Sequence, residues 1–346
     1  MNAATLLAGL RVLDVSIWRP GPYAASLLVA LGADVLKVEP PGGDPMRHYP
    51  SLFGPINAGK RSLELDLKGD TGRRRAFELA AEADVLIEGF RPGVMARLGL
   101  GEGAVRAVNP GVVYCSISGY GQRDARAALP GHDVNYQAWS GALRPEGGPG
   151  AMPPLPVADL AAGMSAAFGI CAAVLGRTTS GEGTYLDVSM TDVLSTWTGP
   201  ASAAGVQEPG AEPRRGRGDP VPGYGLFVTA DDGQIALGVL NEQPFWSNLC
   251  RTLGLEDEAD LDFAARSARA TALQHALALA IASRDRDGLV AELVASGVPV
   301  APVLDRRGML AGAPFPPFPI RLGLPDAPGA VPTLDQHRGE GFCDRR

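Results

Sequence analysis

The chain has 346 residues and a formal net charge of −7, with 45% hydrophobic and 20% charged residues. That length exceeds what one compact core usually holds, so we expect two domains, and the composition excludes an intrinsically disordered chain. The net negative charge disfavours nonspecific nucleic-acid binding. The sequence shows neither a secretory leader pattern nor a long uncharged apolar run, so we expect a cytoplasmic protein that does not span a membrane.

Two further classes of site are disfavoured by the motifs. The cysteines are scattered without CxxC spacing, which excludes a disulfide framework and a structural zinc site, so we expect no metal. They are Cys115, Cys171, Cys250 and Cys343. Neither GxGxxG nor GxxxxGK[ST] is present, so an NAD site or a P-loop nucleotide site has little support.

The N-terminal part of the chain predicts a β-α-β start. The apolar, β-branched run from Leu10 to Val15 predicts a buried strand, and a Pro-Gly-Pro turn at Pro20 to Pro22 follows it. Helix-forming residues from Tyr23 to Leu31 predict a helix that ends at Gly32. DVLKV, from Asp34 to Val38, predicts the second strand.

Strand and helix patterns continue to alternate. We expect a helix from about Thr71 to Ala83, a strand that ends at Phe90 and a strand from Gly111 to Ile117. This alternation predicts a parallel sheet covered on both faces, with ligands bound beyond the carboxyl ends of its strands. The Ala-rich stretch from Asp159 to about Leu175 predicts a helix that is buried nearly all round.

A change in composition divides the chain near residue 200. Residues 199–223 are rich in Pro, Gly, Ala and Arg and predict a connection between domains. The alternating pattern around Asp232-Gly233 predicts a β-hairpin, and helices are expected at 242–253 and 271–283. The Pro-rich residues 312–332 are expected to be mostly extended.

His132 stands out among the four histidines because of its neighbours. It lies in PGHDVNYQAWSGAL, where polar and aromatic residues are denser than a plain helix start needs. The alternative interpretation makes His132 or Asp133 a helix N-cap and the remainder solvated surface. We expect His48 and His337 to face solvent and His275 to be structural.

Asp159 begins the apolar helix pattern DLAAGMSAAFGI, so helix N-capping alone would explain it. A carboxylate beside a long apolar helix is also partly desolvated, which raises its basicity. A general base or a carboxylate nucleophile needs this property. Both interpretations can hold together.

Several cations lie close to the ends of predicted strands. Scattered surface charge would account for any one of them, but as a group in an acidic protein they predict a local phosphate-binding rim. The group comprises Lys37, Arg47, Lys60, Arg61, Arg91 and Arg97.

Six motifs follow one another in a recognisable order. They are LRVLDVS with a following GP, GADVLKVEPPGGDPMR, NAGKRSLELDLK, ADVLIEGFRPGVMARLGLG, GHDVNYQAWSGAL and VADLAAG. GVPVAPVLD and TLDQH come later in the chain. In this order the motifs resemble the superfamily of family III CoA-transferases and α-methylacyl-CoA racemases, and the resemblance covers nearly the whole chain.

The resemblance implies an α/β fold with a Rossmann-like large domain, built on a parallel sheet, and a smaller α+β domain. The ring-shaped chain would interlock with a second copy in a homodimer. The large domain would comprise residues 1–200 and the returning segment 311–346, with a linker at 201–219 and the small domain at 220–310. The substrate would be an acyl-CoA, with no cofactor beyond coenzyme A. Matching positions assign CoA binding to Lys37, Lys60, Gly89, Phe90, Arg91, Arg97 and Tyr136.

The superfamily contains two reactions. Transferases resemble PG-Tyr-Asp or PG-Phe-Asp at the histidine motif and use an aspartate matching Asp159 as the nucleophile, whereas racemases resemble the GHDVNY found here. Racemisation removes a proton from one face of the α-carbon and returns one to the other, which requires two groups. The resemblance implies that these are His132 and Asp159. Main-chain N–H groups at the start of the Asp159 helix would stabilise the enolate.

The remaining motifs complete the expected site. LNEQPFW aligns Glu242 with a small-domain glutamate of racemases, and Asp133 joins the expected catalytic set. The turn SIWRPGPY, with Trp18 and Arg19, differs from the small-residue turn typical of racemases and could reshape the acyl pocket. We predict an acyl-CoA racemase or epimerase for a 2-methylacyl-CoA-type thioester. The alternatives are a CoA-transferase that moves CoA between carboxylic acids through an acyl anhydride and then a CoA thioester on Asp159, and a noncatalytic CoA-binding subunit.

Overall fold

The computed structural model describes residues 6–143, 155–206, 221–312 and 329–343. These residues divide into two compact units. The first takes in the described residues up to 206 and those from 329 onward, and the second takes in residues 221–312. Of the predicted linker 201–219, residues up to Val206 are helical, and the rest lies outside the described residues, as does most of the Pro-rich stretch 312–332.

A parallel six-stranded sheet forms the centre of the first unit. Its order is β3-β2-β1-β4-β5-β6, the order of Rossmann-like folds, and every neighbouring pair is parallel. The interior strands are buried along almost their whole length, as expected for strands covered on both faces. The strands are β1 (Arg11–Asp14), β2 (Asp34–Glu39), β3 (Arg61–Glu64), β4 (Val85–Glu88), β5 (Val113–Ser118) and β6 (Tyr185–Ser189).

Helices follow the strands as the sequence predicts, with one correction at the start. The predicted Pro-Gly-Pro turn is instead the first turn of a helix, because proline at the first helical positions lacks only an N–H that has no partner there. The helices of this unit are α1 (Pro20–Ala30), α2 (Pro50–Asn57), α3 (Asp70–Glu82), α4 (Val94–Arg97), α5 (Glu102–Val108), α6 (Asp133–Trp139), α7 (Val157–Ser180) and α8 (Met190–Val206).

Helix α7 is buried on one side only, so the prediction of burial all round is wrong. Small residues on the buried side, such as Ala162 and Ala166, lie in the core. Met164, Phe168 and Leu175 are 52%, 77% and 71% exposed. Within the described ranges, α7 is the one helix whose length and composition would allow it to cross a membrane, a test that core helices of soluble proteins also pass.

The C-terminal segment lies along the edge strand β3. The backbone N–H of Ser62 donates to Nδ1 of His337 at 3.0 Å, and the N–H of Glu64 donates to Oδ1 of Asp335 at 3.0 Å. The N–H of His337 donates in turn to the carbonyl of Ser62. His337 is therefore a structural residue, and the prediction that it faces solvent is wrong.

The second unit combines a small antiparallel sheet with helices. The predicted hairpin is present, and its turn residue Asp232 has a φ of 58°. The sheet order is β7-β8-β9, with strands Tyr224–Val228, Gln234–Gly238 and Val300–Pro302. The helices are α9 (Gln243–Thr252), α10 (Phe263–Ala268), α11 (Ala270–Ala282), α12 (Arg286–Ala295) and α13 (Arg306–Gly312).

Candidate active site

A cleft of about 650 Å³ opens at the carboxyl ends of the parallel strands. Its walls come from the segments that follow β1, β4 and β5, together with the start of α6 and of α7. His132 and Asp159 both line this cleft. The structure therefore brings together the two residues that the sequence singled out, at the edge of the sheet where ligands of such folds bind.

A fixed loop precedes helix α6 and carries His132. The imidazole is exposed, and the backbone N–H of His132 donates to Oδ1 of Asn135 at 3.0 Å. The hydroxyl of Tyr136 donates to the carbonyl of Gly131 at 2.6 Å. A Cβ at Gly119 or Gly131 would lie only 2.3 Å or 2.7 Å from the Tyr136 ring, so glycine is needed at both positions for the loop to close on this ring.

Asp133 connects this loop to the start of α7. Its Oδ1 accepts from the backbone N–H groups of Ala158 and Asp159, at 2.8 Å and 3.2 Å, and its Oδ2 accepts from Nε2 of Gln137 at 2.5 Å. Asp133 is thus the side chain that caps α7, while Asp159 stands in its first turn. The interpretation of Asp159 as a simple N-cap is wrong.

The same contacts correct the expected enolate site. The N–H groups of Ala158 and Asp159 are bound by Asp133, and those of Val157 and Leu160 donate to backbone carbonyls. All four N–H groups at the start of α7 are therefore occupied within the protein. They cannot serve as direct donors to a thioester oxygen in this conformation.

The carboxyl of Asp159 is tuned for proton transfer. Burial, reinforced by the negative charge of Asp133, raises its pKa from 3.8 to about 7, and the positive charge of Arg19 opposes the rise. A carboxyl with a pKa near neutrality can both accept and donate a proton at physiological pH.

Two of the expected phosphate ligands are buried and fully occupied. The Nζ of Lys60 donates to Asp14 at 3.0 Å, to the carbonyl of Pro22 at 2.8 Å and to Asn57 at 3.0 Å, and burial lowers its pKa to about 8. Lys37, which is 0% exposed, contacts protein atoms in the same way. Neither ammonium group reaches solvent in this structure, so the burial argues against their assignment to CoA phosphates.

The remaining cations differ in availability. Arg47 forms an ion pair with Glu39, and Arg61 with Asp34. Arg91 and Arg97 are exposed, and Arg91 lines the cleft beside Gly89 and Phe90. Arg97, on α4, does not line it. Tyr136 also lines the cleft, and burial raises its pKa to about 12.

Glu242 belongs to the second unit, directly before α9. Its side chain is exposed, and its Oε2 accepts from the backbone N–H of Leu240 at 3.1 Å. The guanidinium of Arg266 donates to the carbonyls of Leu240 and Asn241, which fixes the loop that carries Glu242.

One buried carboxyl directly before the cleft residues Gly89 and Phe90 was not assigned from the sequence, and Trp18, which was expected at the pocket, has a backbone conformation that was not foreseen. Glu88 ends β4 and accepts from the N–H of Phe90 at 2.8 Å, and burial raises its pKa to about 7. The position of this glutamate inside the apolar run ADVLIEGF could have indicated a buried carboxyl. Trp18 lines the cleft with a φ of 63°, a conformation that no sequence pattern at this turn indicates. Within the described parts of the chain, no group of three or more His, Cys, Asp or Glu residues could hold a metal ion.

Comparison with known proteins identifies the family to which this cleft belongs. The family model described as CoA-transferase family III matches residues 7–315. The chain belongs to CoA-transferase family III. It is similar to a structure of a CaiB/BaiF family protein from Brucella suis, with a TM-score of 0.81, 28% identity and coverage of 97% and 98% of the two chains.

Curated relatives of this family III chain are named for both reactions. It is 32% identical to the succinyl-CoA:mesaconate CoA-transferase of Haloarcula hispanica, over 96% of this chain and 95% of the relative. It is 33% identical to the acetyl-CoA:oxalate CoA-transferase of Acetobacter aceti, over 95% and 92%. It is 36% identical to the human α-methylacyl-CoA racemase, over 73% and 66%. The chain is thus an enzyme related to CoA-transferases and acyl-CoA racemases.

Proposed function

We propose that this enzyme is an acyl-CoA racemase or epimerase, with His132 and Asp159 as its acid/base pair. The observation that carries the proposal is that an exposed imidazole and a carboxyl with a pKa of about 7 line one cleft. Inversion at an α-carbon needs one group that takes a proton and a second that returns one. A raised pKa would also make a carboxylate nucleophile more basic, so the presence of the second group, His132, is what favours inversion.

The proton balance of the reaction is simple. One of the two groups removes the α-proton of the thioester, and the electron pair moves into the carbonyl to form an enolate. The other group then protonates the α-carbon from the opposite face, so the thioester is regenerated with inverted configuration. The N-terminal end of α7, a helix of 24 residues, favours the negative charge through its dipole rather than through free N–H donors.

The substrate handle is proposed to be coenzyme A. Arg91, with Gly89, Phe90 and Tyr136, lines the cleft, and Arg97, at the end of α4, offers a second exposed cation. Guanidinium groups bind phosphates through charge-assisted hydrogen bonds. No further cofactor takes part in the proposed reaction. The aligned racemase motif also implies a catalytic role for Glu242.

The active form is proposed to be a cytoplasmic homodimer. The exposed apolar residues of α7, Met164, Phe168 and Leu175, support this, because monomeric proteins rarely leave such a stripe in water. Substitution Phe168→Lys would then shift the protein to a monomer in analytical ultracentrifugation.

A second candidate is a CoA-transferase. Relatives that match nearly the full length of both chains carry that name. Asp159 would attack the thioester carbonyl and release the CoA thiolate, leaving a mixed anhydride. The thiolate would then attack the Asp159 carbonyl of the anhydride, which releases the donor acid and leaves a CoA thioester on Asp159. The acceptor carboxylate would attack this thioester to give a second anhydride and free thiolate. Attack of the thiolate on the acceptor carbonyl would release the new acyl-CoA and the free carboxylate of Asp159.

Solvent isotope exchange distinguishes these candidates. A 2-methylacyl-CoA incubated with the enzyme in D₂O should acquire deuterium at the α-carbon without an added acid. His132→Ala should abolish exchange in the racemase and leave acyl transfer largely intact in the transferase. Hydroxylamine trapping of Asp159 together with an absence of exchange would overturn the racemase proposal. CoA binding without turnover of any acyl group would indicate a noncatalytic subunit.

A further inference from the structure

Trp18 occupies a strained position in the wall of the cleft. Its φ of 63° lies in the left-handed region, which is costly for a bulky side chain. The other described non-glycine residues with positive φ are two aspartates, a residue type that tolerates this region far better. Trp18 lines the cleft and is 43% exposed. Strain of this kind persists only where the surrounding structure enforces it.

Buried charged residues hold the backbone on both sides of this position. The backbone N–H of Trp18 donates to Oδ1 of Asp44 at 3.3 Å, and Asp44 is 1% exposed. The Nζ of Lys37 pairs with Oδ2 of Asp44 at 3.0 Å and donates to the carbonyl of Ser16 at 2.8 Å. The N–H of Ser16 donates in turn to Asp14 at 3.1 Å. The residues on both sides of Ile17 are therefore fixed by buried charges.

The same turn lies next to the proposed catalytic carboxyl. The positive charge of Arg19 lowers the pKa of Asp159 against the larger effects of burial and Asp133. One turn further along α7, a Cβ at Gly163 would lie 2.8 Å from the carbonyl oxygen of Pro20. The turn that carries Trp18 is thus packed directly against the first turns of α7.

We propose that Trp18 is a specificity-determining residue that limits the length of the acyl group, and that Asp44 is the positioning residue that holds it. The inference rests on the proposed acyl-CoA site. A wall residue whose backbone is held by buried ion pairs keeps its Cα and Cβ in place, so a longer chain has to displace the indole by side-chain rotation alone. The preferred thioesters are accordingly short ones.

Binding of unreactive thioethers tests the inference without requiring turnover. S-ethyl-CoA and S-hexyl-CoA are titrated calorimetrically into the wild type and into Trp18→Ala and Trp18→Gly. Glycine suits the positive φ, so this second variant keeps the test valid if the alanine variant folds poorly. Both variants should shift the ratio of the two dissociation constants by about tenfold in favour of the longer chain. Trp197→Ala, a change at an exposed tryptophan on α8, should leave the ratio unchanged.

The role of Asp44 has its own readout. Asp44→Ala should shift the chain-length ratio in the same direction as Trp18→Ala, and Asp44→Asn, which retains an acceptor for the Trp18 N–H, should restore it in part. Equal weakening of both thioethers in the Trp18 variants, or a ratio that does not change, would overturn the inference and leave the proposed function standing. A wild type that binds neither thioether would instead contradict the CoA site itself.

Discussion

The Oδ1 atom of Asp133 accepts a hydrogen bond from the backbone N–H of Asp159 at 3.2 Å, although 26 residues separate them. Because Asp133 directly follows His132, this single carboxylate fixes the spacing between the loop of the imidazole and the helix of the proposed acid. It also raises the pKa of Asp159 by charge repulsion, secondary to burial. Positioning and tuning of the site therefore depend on the same residue.

Removal of the Asp133 charge should shift the pH profile. In Asp133→Asn, one side-chain acceptor remains but the repulsion is lost, so the pKa of Asp159 should fall below about 7. The acid limb of kcat/KM for α-proton exchange should move to lower pH. In Asp133→Ala the cap of α7 is also lost, and exchange should slow by about tenfold or more. An exposed aspartate of the second unit, Asp257, supplies the control Asp257→Asn; a profile equally displaced in that variant would contradict the assignment.

Asp159 should make the folded enzyme less stable as the pH rises. Its folded-state pKa of about 7 lies above its ordinary value of 3.8, so the folded state retains a proton that the unfolded chain has released between these limits. The cost grows from about pH 4 to pH 7 and is then constant. Asp159→Asn should therefore be more stable than the wild type at pH 8, on the order of 2 kcal/mol, and nearly equal to it close to pH 4. Urea unfolding from pH 4 to pH 8 measures the difference in unfolding free energy between Asp159→Asn and the wild type. A difference that does not change with pH would contradict the raised pKa of Asp159.

Two glycines of α7 provide a matched test of packing. A Cβ at Gly163 would lie 2.8 Å from both the carbonyl oxygen of Pro20 and Cδ1 of Tyr23, whereas a Cβ at Gly176 meets nothing within 4 Å. Gly163→Ala should lower the free energy of unfolding by about 1–3 kcal/mol, because α1 must shift. Gly176→Ala should raise it by about 0.5–1 kcal/mol through helix propensity. Thermal unfolding measures the stability of both variants. Equal destabilisation of the two would refute this account.

Lys60 and Arg91 should separate stability from substrate binding. Lys60→Met leaves Asp14 buried next to an apolar chain and should cost about 3–5 kcal/mol of unfolding free energy. Arg91→Gln should leave stability unchanged and weaken CoA binding, most strongly at low salt. Chemical denaturation and calorimetric CoA titration measure the two effects. Loss of CoA affinity in a stably folded Lys60→Met protein would reinstate that lysine as a phosphate ligand.

The sequence predicted the sheet and the location of the cleft because both follow from local patterns. Apolar runs alternating with helices specify a parallel sheet, and the carboxyl ends of such strands mark the ligand edge. The proximity of His132 to Asp159 followed from the family resemblance. The bridge by Asp133 could not be foreseen, since it depends on how two segments dock.

The errors share a physical cause. A lysine within a strand, such as Lys37, or directly before one, such as Lys60, can reach solvent or turn inward to a buried carboxylate, and residue order does not distinguish these outcomes. In α7, alanine and glycine predominate on one side and larger apolar residues on the other, so no polar face marked Phe168 as exposed. The left-handed backbone of Trp18 accompanies a hydrogen bond to Asp44, which is 26 positions away along the chain, so the local sequence does not reveal it.

The docking of the C-terminal segment on β3 also affects solubility. A strand at the rim of a sheet presents unpaired N–H and C=O groups that can recruit another chain. Here His337 and Asp335 already engage the N–H groups of Ser62 and Glu64, so that rim is covered by the protein's own chain. Proteolytic loss of the last residues would not remove any residue of the proposed acid/base pair. It would expose the edge of β3, on which a second chain could pair and start aggregation.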